Sequence, residues 1–447
     1  MKFRLIILII LVATSSLRGE GQTSPSQQTG YENRIRNFID SLWIIDTHEH
    51  LLDPDIIKDS YCLDFSLLFL QNGYDDLLSA GMPDSLYNYL FNSDLTPMQK
   101  WKFVSPYFEN TFNTSFIRIM LSGIKDLYGV DSLNESTVDK LSDTIVKAYS
   151  SNWYDRVLKD LCRIKYVIKD GNYMSGMDDC FRYETRFDSW LTIRSKYRID
   201  SLAIQQLDPI YTLEDFDKSL RTAFEKEVKK GMVAVKVFTA YYRTLNFEKV
   251  EHDDARKVFR SLVNGEEDHV ITFEDAKPLQ DYMLHHLLDL AKEYKIPVAF
   301  HTGIQAGLGK PLGNTNPVLL ANLFNEYPEI KFVLYHGSYP FGGELSALAK
   351  NYKNVYIDMN WTYSISPTYS ERYLNEWLET VPVSRLMAFG GDCMAVENIY
   401  SELKSAKRII SNVLCNKVRD GYFSEYDAKV VAKMILFDNA SRLYNLP

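Results

Sequence analysis

The stretch Leu42–His50 has the sequence Leu-Trp-Ile-Ile-Asp-Thr-His-Glu-His and changes from apolar to polar within one residue. The run Trp43–Ile45 predicts a buried strand that ends where the polar residues begin. Side chains two apart in an extended chain point the same way, so His48 and His50 are expected to converge. Convergent imidazoles suit a divalent metal such as zinc. Two exposed histidines in a turn are the alternative.

The composition is that of an ordinary globular protein. The chain has 447 residues, 46% of them hydrophobic and 24% charged, which allows one large domain with insertions or about two to three smaller ones. The net charge of -9 and the lack of a basic cluster argue against a nucleic-acid-binding surface. The five cysteines show no Cys-x-x-Cys pair, so no disulfide framework is predicted, although one or two bridges would be compatible with export.

The N-terminus has the order of a secretory signal peptide. Lys2 and Arg4 precede the apolar run Leu5–Ala13, and small residues follow. A bilayer span needs roughly 20 apolar residues, so this run is too short to form a stable one. Residues 1–20 are therefore predicted to be a signal peptide, residues 21–40 a leader with a short helix, and the mature protein periplasmic or secreted. An uncleaved membrane anchor is the alternative.

Strand and helix patterns alternate through most of the remaining chain. Eight strand-like runs are predicted, at residues 43–45, 164–168, 197–202, 231–238, 297–301, 330–336, 355–358 and 386–390. Such alternation implies a parallel sheet, and eight units fit an α/β fold of the closed (β/α)8 TIM-like barrel type. A doubly wound open sheet is the alternative, but no Gly-x-Gly-x-x-Gly motif follows an early strand.

The barrel domain is predicted to cover residues 41–447, with a long insertion after its first strand. Residues of about 51–160 carry helical rather than strand patterns, for example at 98–103 and 138–149. A loop of that length is uncommon without structure of its own, so a helical insertion is expected. Because it leaves directly from His50, the insertion should cover the site as a lid.

Three later strands also end on a residue that can bind a metal. His301 ends the fifth predicted strand, His336 the sixth and Asp392 the eighth. The carboxyl ends of barrel strands meet at one face, where active sites form, so these residues can meet His48 and His50. A lone strand-end histidine is more often a structural hydrogen bonder, but four of the eight histidines lie at such ends.

Two cationic residues are candidates for binding a substrate anion. Lys236 interrupts an apolar strand, and a buried unpaired ammonium is costly, so its side chain is expected to reach the barrel mouth. Arg243 follows closely and is a candidate clamp for a carboxylate. A lysine that extends to the surface and a solvated loop arginine are the alternatives.

Together these residues resemble the amidohydrolase superfamily, and more narrowly its amidohydrolase-related, metal-dependent hydrolase branch. The matching motifs are 46–50, 300–303, 331–337, 354–358, 390–392 and 439–444. The resemblance implies a metal-dependent (β/α)8 barrel that holds one zinc-like divalent ion, or two. Its implied ligands are His48, His50, His301 and Asp392, with His336 as a further ligand or a catalytic group. In relatives with two metals a strand-four lysine is carboxylated, and Lys236 stands near that position.

The insertion is similar to a second branch. Residues 127–131 and 133–135 resemble the uronate isomerases, which also use His-x-His and a strand-eight acid but isomerise sugar acids. The C-terminal part departs from that branch, because strand eight here ends in Gly-Gly-Asp-Cys at Cys393. Both resemblances imply the same fold, while the reaction they imply differs.

The leading functional hypothesis is metal-assisted hydrolysis of an amide, ester or lactone bond in a small, carboxylate-bearing substrate. Asp392 would act as general base and then acid, and His336 would orient or polarise the substrate carbonyl. Lys236 or Arg243 would hold the substrate carboxylate. Isomerisation or decarboxylation at the same metal is the alternative, and a non-catalytic binding protein is a third. The small substrate is the expected partner, and a homo-oligomer is compatible with the sequence.

Overall fold

A computed structural model describes residues 25–60, 62–150, 152–171, 173–174, 177 and 179–447. The predicted signal peptide, residues 1–20, lies outside the described residues, as does the first part of the predicted leader. Within the described ranges, every helix is too short or too polar to cross a lipid bilayer.

One parallel sheet forms the centre of the molecule. In the described part of the chain its strands are β1 Ile44–Glu49, β2 Ile164–Asp170, β3 Phe181–Arg186, β4 Met232–Val237, β5 Val298–Phe300, β6 Phe332–Leu334, β7 Val355–Asp358 and β8 Leu386–Met387. Each strand pairs in parallel with the next one along the chain. The N–H of Thr47 donates to Phe389 O at 3.1 Å, and the N–H of Asp392 donates to His48 O at 3.0 Å. These bonds join β1 to the segment after β8 in a nearly closed barrel, which confirms the predicted fold.

Helices precede, connect and follow the strands. The chain before β1 forms α1 Pro25–Ser41. The segment between β1 and β2 is largely helical, with α2 Pro54–Ser60, α3 Asn72–Ser79, α4 Tyr87–Leu90, α5 Pro97–Phe108, α6 Ser115–Tyr128, α7 Val138–Tyr149 and α8 Trp153–Asp155. The later helices are α9 Asp188–Leu191, α10 Lys196–Gln206, α11 Leu213–Lys229, α12 His252–Val263, α13 Phe273–Tyr294, α14 Ala321–Glu326, α15 Gly342–Asn351, α16 Thr362–Ile365, α17 Pro367–Thr380, α18 Val396–Arg419, α19 Glu425–Lys433 and α20 Asn439–Leu443.

The alternation of side chains along the strands builds two apolar cores. Ile45 and Ala234 belong to a cluster inside the barrel, whereas their neighbours Ile44 and Val235 belong to the larger cluster shared with the surrounding helices. The C-terminal segment 440–446 packs against the inner cluster. The barrel interior is therefore a packed core, and the polar residues that follow it on the strands are left at the carboxyl ends.

The third strand differs from the prediction. Residues 197–202 are not a strand but lie within α10, where Ile199 and Leu202 are buried at helical spacing and Tyr197 is exposed. The third strand is instead β3, which has the sequence Phe-Arg-Tyr-Glu-Thr-Arg. Three charged residues among six conceal its strand pattern, and two of them, Glu184 and Arg186, lie at the end of the strand that forms the site.

The five cysteines all lie within the described residues and form no disulfide bond there. Each is free and buried. Burial raises the pKa of the Cys162 and Cys180 thiols to about 12, so both are inert as nucleophiles at neutral pH.

Candidate active site

Three side chains converge at the mouth of the barrel. His48 and His50 come from the end of β1, and Asp392 comes from the segment after β8. The Nε2 atom of His48 lies 3.5 Å from Asp392 Oδ1, and that of His50 lies 3.3 Å from the same oxygen. All three ligand atoms lie within 4.8 Å of one another. Asp392 has a left-handed backbone conformation, with φ 54, which turns its carboxylate towards the two imidazoles.

Glu184, at the end of β3, fixes the orientation of His48. Its Oε1 atom lies 2.6 Å from His48 Nδ1, and its Oε2 accepts a hydrogen bond of 2.6 Å from the hydroxyl of Tyr335. Burial raises the pKa of Glu184 to about 8, and in its ionised form this carboxylate accepts from His48, which then carries its proton on Nδ1. Its Nε2 lone pair therefore faces Asp392. This is the arrangement by which a carboxylate prepares a histidine to bind a metal.

Glu49 lies between the two histidines in sequence but faces away from the cluster. Its carboxylate accepts hydrogen bonds from the N–H of Gly391 at 2.9 Å and the N–H of Cys393 at 2.7 Å. It thus holds the backbone on both sides of Asp392 in place. This is the structural role that alternation along the strand predicts for Glu49.

His301 and His336 form a hydrogen-bonded pair beside the cluster. His301 Nε2 lies 2.9 Å from the carbonyl oxygen of Ile304, and His301 Nδ1 lies 2.8 Å from His336 Nε2. Because a carbonyl only accepts, His301 donates from Nε2 and accepts at Nδ1 from His336. This leaves a lone pair on His336 Nδ1, which lies 3.7 Å from Asp392 Oδ2 and has no hydrogen-bond partner among the described residues.

Burial keeps these two imidazoles neutral. It lowers the pKa of both His301 and His336 well below the ordinary histidine value, and the nearby ammonium of Lys236 lowers both further. Both nitrogens of His301 are engaged in hydrogen bonds, so the structure does not bring His301 into the ligand cluster. Its assignment as a metal ligand stays a prediction.

Lys236 lies in β4 and projects into the same mouth. Its side chain is 1% exposed, and within the described part of the chain its Nζ has no hydrogen-bond partner. The ammonium lies 3.8 Å from the centre of the Tyr335 ring. Burial lowers the pKa of Lys236, while the carboxylates of Glu184 and Asp170 oppose that shift.

Arg186 supplies a second cation at the mouth. Its Nε donates to Asp170 Oδ2 at 2.7 Å, and its guanidinium carbon lies 4.1 Å from the centre of the Phe238 ring. Burial alone would raise the pKa of Asp170, but His50, Arg186 and Lys236 outweigh it and hold that pKa below its ordinary value. The mouth therefore holds two cations, Lys236 and Arg186, beside the ionised carboxylate of Asp170.

A cavity of about 310 Å³ lies above these groups. His48, His50, Asp392, His301, Lys236 and Arg186 line it, together with the aromatic residues Phe238, Tyr241 and Trp361. The segment between β1 and β2 reaches the cavity through Gln71, whose Nε2 donates to Asp392 Oδ1 at 3.2 Å. The same segment also contacts the loop after β5, where the N–H of Gly307 donates a hydrogen bond to Asp75 at 2.9 Å.

Arg243 does not line this cavity, and its assignment as a substrate-binding residue stays a prediction. Its guanidinium donates to Asp281 at 2.6 Å and to the backbone oxygen of Asn246 at 3.2 Å. It also lies 3.2 Å from Gln280 Oε1. Arg243 and Asp281 are both buried, so this ion pair ties the loop after β4 to α13.

Sequence reasoning missed Glu184, Arg186, Asp170 and Gln71. Glu184 and Arg186 stand two residues apart at the end of β3, as His48 and His50 do at the end of β1. Charged residues two apart at a strand end were the available signal. The pattern was not recognised because the third strand was predicted at residues 197–202. Gln71 has no comparable signal, since only the folding of the insertion brings it to Asp392.

The donor set fits a divalent metal ion. His48 and His50 offer neutral imidazole nitrogens, and Asp392 offers a carboxylate oxygen. Two nitrogens and one oxygen at this separation match the ligand types that zinc binds when it also binds water or substrate. The hydrogen bond from Glu184 to His48 supplies the supporting contact that metal-binding histidines usually have.

Comparisons with known proteins bear on the resemblance expected from the sequence. The family model described as Amidohydrolase matches residues 249–446, which contain His301, His336 and Asp392. The resemblance to the amidohydrolase superfamily is confirmed. Protein fluG of Emericella nidulans is 30% identical over 225 residues, which are 48% of this chain and 26% of that protein. The chain therefore spans about a quarter of the length of this curated relative.

Solved structures share the fold across nearly the whole chain. A uronate isomerase from Thermotoga maritima superposes with a TM-score of 0.77 at 17% identity and covers 93% of this chain and 97% of its own. A glucuronate isomerase from Caulobacter crescentus superposes with a TM-score of 0.76 at 19% identity, over 95% of each chain. At these identities the likeness establishes the fold and not the reaction.

Proposed function

We propose that this protein is an exported metal-dependent hydrolase that activates water to cleave an amide, ester or lactone bond in a small, carboxylate-bearing substrate. The observation that carries the proposal is the convergence of His48 Nε2, His50 Nε2 and Asp392 Oδ1 at the barrel mouth. Export rests on the signal-like order of residues 1–20.

One zinc ion suits the donors best. Bound to His48, His50 and Asp392, it would supply Lewis acidity to a carbonyl group and lower the pKa of water towards about 7. A second group of metal-binding atoms, from His48, Asp170 and Glu184, lies beside the first. His48 Nδ1 already donates to Glu184, so that nitrogen has no lone pair to offer, and we propose one ion rather than two.

Asp392 is the group best placed to move protons. Its Oδ1 faces the two imidazoles, while Oδ2 faces His336 Nδ1. In the proposed reaction Oδ2 takes the proton of the attacking water and returns it to the leaving group. His336 Nδ1 carries a lone pair and cannot donate to a carbonyl, so it suits orientation of the water better than polarisation of the substrate.

Lys236 and Arg186 are the proposed carboxylate-binding groups. The Lys236 ammonium has no hydrogen-bond partner in the described part of the chain, so a substrate anion would satisfy it. Arg186 is held at one edge by Asp170 through Nε and Nη2, and no described residue is paired with its Nη1, which is available to a carboxylate. Phe238 and Trp361 line the same cavity and would shield these contacts from water.

Isomerisation of a uronate is the second candidate function. The observation that favours it is the fold likeness to two uronate-type isomerases, which extends over the helical segment between β1 and β2 as well as the barrel. Lys236 and Arg186 would also suit the carboxylate of a sugar acid. The two reactions differ in the mass of the product, because hydrolysis adds one water and isomerisation adds none.

The test is a turnover assay on the purified full chain supplied with zinc. The panel should contain carboxylate-bearing amides, esters and lactones beside glucuronate and galacturonate, with products identified by mass spectrometry. We expect hydrolysis of at least one panel member, and we expect His48→Ala and Asp392→Asn to abolish both turnover and stoichiometric zinc binding. His269→Ala serves as the matched control, because His269 is an exposed histidine far from the mouth in sequence.

The possible results separate the candidates. Conversion of a uronate without change of mass, lost in the same two variants, would replace hydrolysis by isomerisation. Full zinc occupancy in both His48→Ala and Asp392→Asn would overturn the ligand assignment, whichever reaction is found.

A further inference from the structure

Gln71, the residue before α3, has a backbone conformation that few residues other than glycine adopt. Its φ is 65° and its ψ is -103°. These angles resemble the first central position of a type II′ turn, where glycine is preferred because a Cβ is crowded. Residues kept in such conformations are concentrated at functional sites, where the surrounding structure holds them in place. A functional contact would therefore explain the strain at Gln71.

The side chain of Gln71 points into the barrel mouth. A residue at this position of a helix often caps the first turn with its side chain, but Gln71 makes no such hydrogen bond. Its Nε2 instead donates to Asp392 Oδ1 at 3.2 Å, and the side chain lines the cavity. Among the described residues, Gln71 is the one side chain that donates a hydrogen bond to this carboxylate. The strained residue thus contacts one of the three proposed metal ligands.

Contacts away from the mouth hold the start of α3 in this position. Asp75 accepts a hydrogen bond of 2.9 Å from the N–H of Gly307, in the loop after β5. On the other side, Gly73 is packed so closely that a Cβ there would lie 2.9 Å from the ring of Phe116 and 3.2 Å from the ring of Phe69. Packing on both sides therefore keeps the preceding residue in its strained conformation.

The two oxygens of the Asp392 carboxylate have different surroundings. Oδ1 lies 3.3 Å from His50 Nε2 and 3.5 Å from His48 Nε2, whereas Oδ2 lies 3.7 Å from His336 Nδ1. A hydrogen bond to Oδ1 opposes rotation of the carboxylate and so keeps each oxygen in its place. Supporting hydrogen bonds of this kind orient the carboxylates that bind metal ions.

We propose that Gln71 is a positioning residue for the reaction proposed above, and this inference rests on that function. Its Nε2 holds Asp392 so that Oδ1 faces His48 and His50 while Oδ2 stays turned towards His336 for proton transfer. The strained backbone is the conformation from which the Gln71 amide reaches Asp392. The helical segment between β1 and β2 thereby completes the active site as well as covering it.

The test compares Gln71→Leu with Gln71→Gly in the full chain, by calorimetric titration with zinc and by thermal unfolding of the metal-free protein. Both changes remove the amide, so zinc affinity should fall by about tenfold, and kcat by roughly 10–100-fold with KM unchanged. Gln71→Gly should unfold at a higher temperature than Gln71→Leu, because glycine adopts a positive φ without strain.

The matched control is Leu207→Gly. Leu207 is an exposed residue at the C-terminal end of α10, has a φ of 54° and does not line the cavity. Its replacement also relieves a positive φ, so it should leave zinc affinity, kcat and KM unchanged.

Unchanged zinc affinity in both Gln71 variants would overturn the proposal, because Asp392 would then be oriented without the amide. An equal loss of affinity in Leu207→Gly would overturn it too, since the effect would not be specific to the mouth. So would a Gln71→Gly variant that unfolds at or below the temperature of Gln71→Leu. Wild-type protein that binds no zinc would contradict the proposed function as well, whereas wild-type binding that both variants retain would contradict only the role of Gln71.

Discussion

Two buried lysines of this protein have opposite environments. Lys100, in α5, is 0% exposed, and its Nζ lies 2.6 Å from Asp64 Oδ2. Lys236, in β4, is 1% exposed, and its Nζ has no hydrogen-bond partner among the described residues. Burial of an unpaired charge opposes folding, so Lys100 is arranged to stabilise the protein and Lys236 is not. The contrast distinguishes a cation that holds the helical segment together from one that is available to a ligand.

Other polar groups in the two regions follow the same division. Where α18 meets the helical segment, the buried carboxylate of Glu397 accepts from Tyr128 at 2.6 Å and from Trp153 at 3.0 Å. At the barrel mouth, His336 Nδ1 is buried without a partner in the described part of the chain, as the ammonium of Lys236 is. The protein itself satisfies Glu397, whereas Lys236 Nζ and His336 Nδ1 are left available to a substrate at the mouth.

The largest expected effect comes from Lys236→Met, which removes the buried ammonium at the barrel mouth. We expect kcat/KM for the substrate found by the turnover panel to fall by about 10³-fold, because a contact to the substrate anion is lost. The free energy of unfolding should rise by about 1–3 kcal/mol, because an unpaired buried charge is replaced by an apolar chain of similar length. Steady-state kinetics and denaturant unfolding measure the two effects.

A loss of stability in Lys236→Met would contradict this assignment, since it would mean that the ammonium stabilises the fold. Lys236→Arg is the informative second variant. It keeps the charge but changes its shape, so it should recover part of the activity without the gain in stability.

Lys100→Met tests whether the buried lysine that pairs with Asp64 stabilises the protein. It leaves the Asp64 carboxylate buried without its cation, so the free energy of unfolding should fall by about 3–5 kcal/mol. Denaturant unfolding measures the loss. The control is Lys125→Met, which removes a lysine from an exposed ion pair with Asp131 and should leave stability nearly unchanged. If both variants had equal stability, the buried pair would have no special role.

Most of the barrel and half of the site follow from the sequence, and the reason is periodicity. Apolar runs that end in His48, His301 and His336 signal both a strand and a functional carboxyl end. The strand β3 was not recognised because Glu184 and Arg186, which lie at the candidate site, stand where apolar residues would have revealed it. Charged residues at a candidate site thus weaken the local pattern on which strand prediction depends.

Arg243 shows the opposite limit of sequence reasoning. Its position just after β4 favours a role at the mouth, whereas in the structure it pairs with Asp281, 38 residues later. Pairing across such a distance is set by tertiary packing, which local patterns do not contain. The same limit applies to Gln71, which meets Asp392 only when the helical segment folds over the barrel.

The smallest effect is expected for Arg243→Lys. It tests whether a buried cation that pairs with a carboxylate serves only to stabilise the fold. The lysine keeps the charge opposite Asp281 but loses the hydrogen bond to Asn246 O, so the free energy of unfolding should fall by about 1–2 kcal/mol with KM unchanged. Arg186→Lys is the matched comparison and should raise KM instead. A raised KM in Arg243→Lys at unchanged stability would return Arg243 to the substrate site and show that pairing alone does not separate structural cations from functional ones.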